Sequence, residues 1–84
     1  MGKAITKNMI NKAAHALGRT TYTGLTTPER FDEWKLKLGL LVDAQKVSRE
    51  DFDLPMATFA WKCQLELAEI GRLMLAKNRD IPNL

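Results

Sequence analysis

The sequence predicts an all-α fold, a small bundle of three main helices plus one short helix. Three observations support it. Apolar side chains recur every three or four residues over most of the 84 positions, which is the spacing of one helix face. Segments that alternate like a β-strand are nearly absent, and Gly, Pro, Ser and Thr stand where helices begin and end. The predicted helices cover about 5–17, 28–45, 48–53 and 55–78.

The first predicted helix has its apolar side chains on one side of a helical wheel and its polar and basic side chains on the other. Gly18 follows it, and a glycine can adopt the left-handed conformation that ends many helices. We therefore expect the helix to stop at Gly18. Residues 19–26 should then form the longest internal loop of a single helical domain covering 1–84.

The second helix is predicted to begin in the stretch "TTPERF", where two N-terminal caps compete. Thr27 followed by Pro28 would put proline at the first helical position. Thr26 with Glu29 would instead form a capping box. The sequence alone does not choose between them. The expected core stripe of this helix is Phe31, Trp34, Leu38, Leu41 and Val42.

The third, short helix is predicted from Ser48 and Asp51, which have the spacing of a capping box with Asp in place of the usual Glu. Pro55 then blocks a continuous helix, because proline lacks the backbone N–H and restricts the residue before it. The long last helix should begin there, capped by Asp53 or Leu54.

The last predicted helix is apolar over far more than one face. Its first band has the spacing of a core stripe and consists of Met56, Phe59, Ala60, Cys63, Leu67, Ile70 and Met74. A second band lies on another side and consists of Trp61, Leu65, Ala68 and Leu75. Either both bands are buried within the bundle, or the second stays outside and binds a partner, with Trp61 as its anchor. The second helix repeats this pattern faintly on its back. The predicted partner-binding residues are Trp61, Leu65, Leu75, Leu36 and Leu40.

The first helix offers an alternative surface, because it is basic and free of acids. Residues 1–25 carry four Lys or Arg and no Asp or Glu, whereas residues 26–84 carry nine basic and ten acidic groups. Lys and Arg neutralise phosphates, and Asn can bind base edges or backbone oxygens. The competing interpretation is a solvated helix face. The nucleic-acid-binding candidates are Lys3, Lys7, Asn8, Asn11, Lys12, His15 and Arg19.

Sites for chemistry are not recognisable in the sequence. His15 and Cys63 are each single in their type, so no paired metal-ligand spacing occurs, and no glycine-rich loop is available for a phosphate. No catalytic residue, metal, cofactor or small-molecule substrate is expected. A single cysteine excludes a disulfide within the chain and favours a reducing compartment. Charged residues interrupt the longest apolar stretch, so no membrane span is expected.

These observations favour a binding protein over an enzyme. The expected function is that of a small cytoplasmic regulatory or adaptor protein, which binds another protein or a second copy of itself through the last helix. The alternative is a nucleic-acid-binding protein that uses the first helix.

Overall fold

The computed structural model describes residues 4–22 and 24–80, with side chains described as far as residue 73. Within these ranges the chain forms three α-helices and one 3-10 helix and no strand, so the predicted all-α fold is confirmed. The helices are α1 (Lys7–Thr21), α2 (Pro28–Asp43), the 3-10 helix η1 (Arg49–Asp53) and α3 (Met56–Asp80).

The core lies where the three α-helices meet. α1 and α2 run in opposite directions. Phe31 near the start of α2 stacks on His15 with ring centroids 4.4 Å apart, and Lys35, one turn further along α2, shares a depression with Lys7 and Asn11 nearer the start of α1. α3 packs against both helices of this pair and buries Phe59, Ala60 and Cys63 of its first apolar band. The largest fully buried side chains are Trp34, Phe59, Leu17, Leu38, Leu41 and Cys63.

α1 extends beyond its predicted end, so the prediction that Gly18 stops it is wrong. Gly18 is buried inside the helix, and a Cβ at this position would lie 3.1 Å from Thr26 Cγ2. The Thr26 hydroxyl also donates a hydrogen bond to the His15 carbonyl at 3.1 Å. Gly18 therefore permits close packing of the connecting segment, and residues 19–21, predicted to be loop, are helical.

α2 begins and ends with well-defined caps. Thr27 is the N-cap, and its hydroxyl accepts a hydrogen bond from the Arg30 N–H at 3.3 Å, which decides between the two predicted caps. At the other end, the Lys46 N–H donates to the Leu41 carbonyl at 2.8 Å. Gln45 has a φ of 58° there, the left-handed conformation that glycine usually supplies in such caps. α2 therefore ends at Asp43, two residues before its predicted end.

The segment between α2 and α3 is fixed by Asp51. Its carboxylate accepts hydrogen bonds from the Ser48 N–H at 2.8 Å and from Lys62 Nζ of α3 at 3.1 Å. Burial opposes ionisation of Asp51, but the Ser48 and Lys62 bonds outweigh it and lower the pKa of this carboxyl. The predicted short helix at Ser48 thus exists as a 3-10 helix.

Pro55 marks the entry to α3, as predicted, but the predicted cap is wrong. The Phe59 N–H donates to the Pro55 carbonyl at 2.9 Å, so Pro55 itself occupies the capping position. Asp53 and Leu54 instead end the 3-10 helix, because the Leu54 N–H donates to the Asp51 carbonyl. Proline is suited to this position, since its missing N–H would have no partner within the helix.

Candidate protein-binding face

The described residues of the second apolar band of α3 lie outside the core. Trp61 is 65% exposed and Leu65 is 52% exposed, whereas Phe59 and Cys63 on the first band are fully buried. Among the two interpretations of the sequence, burial of both bands within one chain is thus contradicted at these two positions. α3 presents one apolar side to the core and another to solvent.

The back of α2 contributes a second pair of exposed leucines. Leu36 is 68% exposed and Leu40 is 53% exposed. They are four residues apart, so they lie one above the other on the same side of α2. The sequence predicted both as partner-binding residues, and both are accessible.

A groove between α2 and α3 brings the two helices' apolar surfaces together. It is open to solvent and has a volume of about 580 Å³. Leu40 lies on its α2 side and Ala68 on its α3 side, while Tyr22 lies at the end of α1. Its deeper wall includes Leu67 and Ile70, which pack against the core. The groove is mainly apolar and lies between two helices.

A smaller depression of about 270 Å³ extends this groove toward Trp61. Thr21 and Gln64 line both cavities, so the two are adjacent. Trp61 lines the smaller one, and Leu65 follows it one helical turn later. We call the whole surface the α2–α3 face, and define it by the groove together with Leu36, Leu40, Trp61, Leu65 and Ala68.

Charge at the α2–α3 face is concentrated at one place. Among the described residues lining the groove, Lys37 carries the charge, and its Nζ bonds Glu33 Oε2 at 2.6 Å. The Lys37 hydrogen bond lowers the pKa of Glu33. The same ammonium lies 4.8 Å from the centre of the Trp34 ring. The rest of the groove therefore offers apolar contact and little charge.

Two buried polar atoms in residues that line the groove have no hydrogen-bond partner among the described residues. They are Thr21 Oγ1 and Trp34 Nε1. Buried polar groups are paired in the large majority of cases, because an unpaired one retains its desolvation cost. The spacing along α2 predicts Trp34 as a core residue, and the structure adds that this residue also lines the groove.

Two predicted residues cannot be placed in these sites. The side chain of Leu75, in the last part of α3, lies outside the described residues, as does Lys3. The structure in turn adds Gln64 and Tyr22, which line the groove but belonged to neither predicted band, and it places Ala68 of the predicted second band in the groove wall.

The basic face of α1 is separate from the α2–α3 face. Its described polar residues are all exposed, and they are Lys7, Asn8, Asn11, Lys12, His15 and Arg19. Lys7 and Asn11 line a depression of about 390 Å³ together with Lys35 of α2. In the described part of the chain, Lys7, Lys12 and Arg19 pair with no carboxylate.

No family model matches the sequence, and neither a curated protein nor a solved structure matches it. Function is therefore inferred from the surfaces of this chain. Over residues 4–22 and 24–80, none of the helices combines the length and apolar character needed to cross a bilayer. Over the same residues, no three His, Cys, Asp or Glu side chains converge to hold a metal ion.

Proposed function

We propose that this chain is a small non-enzymatic regulatory or adaptor protein that binds another protein through the α2–α3 face. The observation that carries the proposal is the exposure of Trp61 and Leu65 beside the groove that Leu40 lines. Contiguous exposed apolar surface on a small domain typically marks a contact with another molecule. By its sequence spacing, Leu75 would extend the same band.

The energetics favour a protein partner. Burying one Leu or similar side chain contributes about 1.5–3 kcal/mol, and tryptophan is among the residues that most often dominate binding. A groove between two helices has the shape that accepts the apolar side of a third helix. The α2–α3 face offers this shape together with a large aromatic anchor, Trp61.

The same proposal includes two further points, namely that the chain binds without catalysing a reaction and that it acts in the cytoplasm. Cys63 is a fully buried free thiol, and burial together with the Asp51 carboxylate raises its pKa to about 12. Such a thiol is a structural residue and a poor nucleophile, because the thiolate is the reactive form. A free cysteine in the core also suits a reducing compartment.

A photo-cross-linking amino acid at position 65 tests the proposal in the cells that naturally produce the protein. We expect irradiation to join the chain to a protein, with position 8 on α1 as the matched exposed control that gives little product. Adding Trp61→Glu should reduce the product by about 30-fold, as expected for a residue that dominates binding.

The Trp61→Glu chain must remain folded for that result to count. We expect its free energy of unfolding to change by about 0.5 kcal/mol or less, because surface substitutions away from core contacts have small effects. Urea unfolding followed by circular dichroism measures this. Equal products from positions 65 and 8, or none from position 65, would contradict the proposed function.

Nucleic-acid binding by α1 is the second candidate, and the observation favouring it is the depression where Lys7 and Asn11 meet Lys35. These residues belong to two helices, so the basic surface is wider than α1 alone. The described cations on it are Lys7, Lys12, Arg19 and Lys35. Asp32 pairs with Lys35 at 3.6 Å and weakens this surface.

Salt dependence tests the second candidate. If about four cations contact phosphates, affinity for duplex DNA should fall by about 100-fold when salt rises fourfold, because each contact releases condensed counterions. Lys12→Gln should lower the logarithmic salt slope by about 0.9. Lys46→Gln, away from α1, is the control. An unchanged slope in the Lys12 variant would exclude α1 as the nucleic-acid surface.

A further inference from the structure

The exposed side of α3 has the residue spacing of a helix that packs against another helix. Alternating steps of three and four residues connect five exposed positions, which are Thr58, Trp61, Leu65, Ala68 and Arg72. This is the repeat by which two helices pack side chains along their common length. We call these five residues the seam. Its middle part belongs to the α2–α3 face.

We propose that the seam binds the seam of a second copy of this chain, with the two α3 helices antiparallel. The inference rests on the proposed function and specifies its partner. A two-fold axis that passes midway between Leu65 and Ala68 places Leu65 of each copy opposite Ala68 of the other. The same axis places Trp61 of each copy opposite Arg72 of the other, so the dimer contains two such pairs.

In this alignment, the side-chain sizes and charges along the seam of one copy complement those of the seam of the other copy. Leucine meets alanine at the centre, so a large side chain faces a small one on both sides of the axis. At each end a guanidinium meets an indole ring, a favourable cation–π pair. A parallel alignment would instead set Arg72 against Arg72 and Trp61 against Trp61, which pairs like charges and leaves sizes unmatched.

The edge of the seam supports the same alignment. Lys62 and Glu69 lie on one edge of α3, seven residues apart. In an antiparallel pair, this edge of one copy faces the same edge of the other copy. Lys62 of each copy then lies near Glu69 of the other. Each has a partner within its own chain, Asp51 for Lys62 and Arg72 for Glu69. The side chain of Lys62 is still 37% exposed and that of Glu69 43%, so both can reach a second copy.

A two-fold contact of this kind produces a closed assembly. Two-fold symmetry uses the same surface on both copies, so the product is a dimer and not a chain of molecules. The antiparallel helix of the second copy would lie beside the groove, where Leu40 can contribute to its contact. The dimer therefore covers Trp61 and Leu65, the exposed large apolar residues of the seam in the described part of α3.

Sedimentation equilibrium of the full chain tests this dimer. The expected mass is twice the 9.5 kDa of one chain. Trp61→Arg should raise the dissociation constant by about 100-fold or more, because it removes two anchors and opposes like charges. Exchanging the pair, as Trp61→Arg with Arg72→Trp, should restore the constant to within about threefold, since the same cation–π pairs form with the roles reversed.

Leu73→Arg is the matched control, because Leu73 is an exposed leucine of α3 that lies off the seam, and it should leave the dimer unchanged. Circular dichroism checks that each variant keeps its helices. A wild-type chain that stays monomeric to millimolar concentration would overturn the self-pairing. A cross-link from position 65 to a different protein would then leave the proposed function intact. A dimer that survives Trp61→Arg, or that the exchanged pair does not restore, would overturn the antiparallel seam.

Discussion

Replacing Trp34 with alanine is expected to lower the free energy of unfolding by about 3–5 kcal/mol, because removal of a buried aromatic side chain loses its burial and leaves a cavity. Trp34 is only 1% exposed and is among the largest buried side chains of the core. A domain of this size is stabilised by roughly 5–10 kcal/mol in total. Urea unfolding followed by circular dichroism should therefore show a much earlier transition.

Two control variants separate the causes of that loss. Trp34→Phe keeps a buried aromatic ring and leaves a smaller cavity than alanine does, so we expect a smaller cost of about 1–2 kcal/mol. Trp61→Ala removes the exposed tryptophan and should change stability in dilute solution by about 0.5 kcal/mol or less. Equal losses for Trp34→Ala and Trp61→Ala would show that the two tryptophans are not in the environments described.

Cys63 is expected to react with a thiol reagent at pH 8 at least about 1000-fold more slowly in the native chain than in urea, since the thiolate is the reacting form. Burial is the main reason its pKa rises from 9.0 to about 12, and the Asp51 and Glu66 carboxylates add to it. The reaction in the native chain then requires opening of the core, so Trp34→Ala should accelerate it.

The matched control for Cys63 is Asn8→Cys, which adds a thiol at an exposed position of α1. One of the two thiols in that variant should react at the rate of the unfolded chain, and the other should remain protected. Rapid reaction of both thiols at pH 8 would contradict the burial of Cys63. The measurement needs only the absorbance of the released reagent over time.

The fold class was predictable because short-range rules govern it. The Thr27 cap, the Pro55 break and the apolar periodicity of α2 and α3 depend on residues within one or two turns of each other. The end of α1 was not predictable in this way. Glycine at position 18 makes room for Thr26, eight residues later in the chain. Sequence rules that consider only neighbouring residues do not predict how closely a connecting segment packs on a helix.

The candidate site was predictable only in part, for a related reason. Spacing along α3 identified Trp61, Leu65, Ala68 and Leu75 as a second band, but the exposure of these residues depends on which helices reach that side of α3. Three helices together form the groove, because Tyr22 lies at the end of α1, Leu40 lies in α2 and Ala68 lies in α3. That arrangement follows from how the helices cross, which the sequence pattern does not specify.

The contrasting placement of the two tryptophans gives the chain a pair of optical reporters. Trp34 is enclosed in the core, so its emission should lie at short wavelength and shift to the red only on unfolding. Trp61 is in contact with water, so its emission should shift to the blue when another molecule covers it. In Trp34→Phe the remaining signal belongs to the surface, and occupancy of that surface can be followed without attaching any dye.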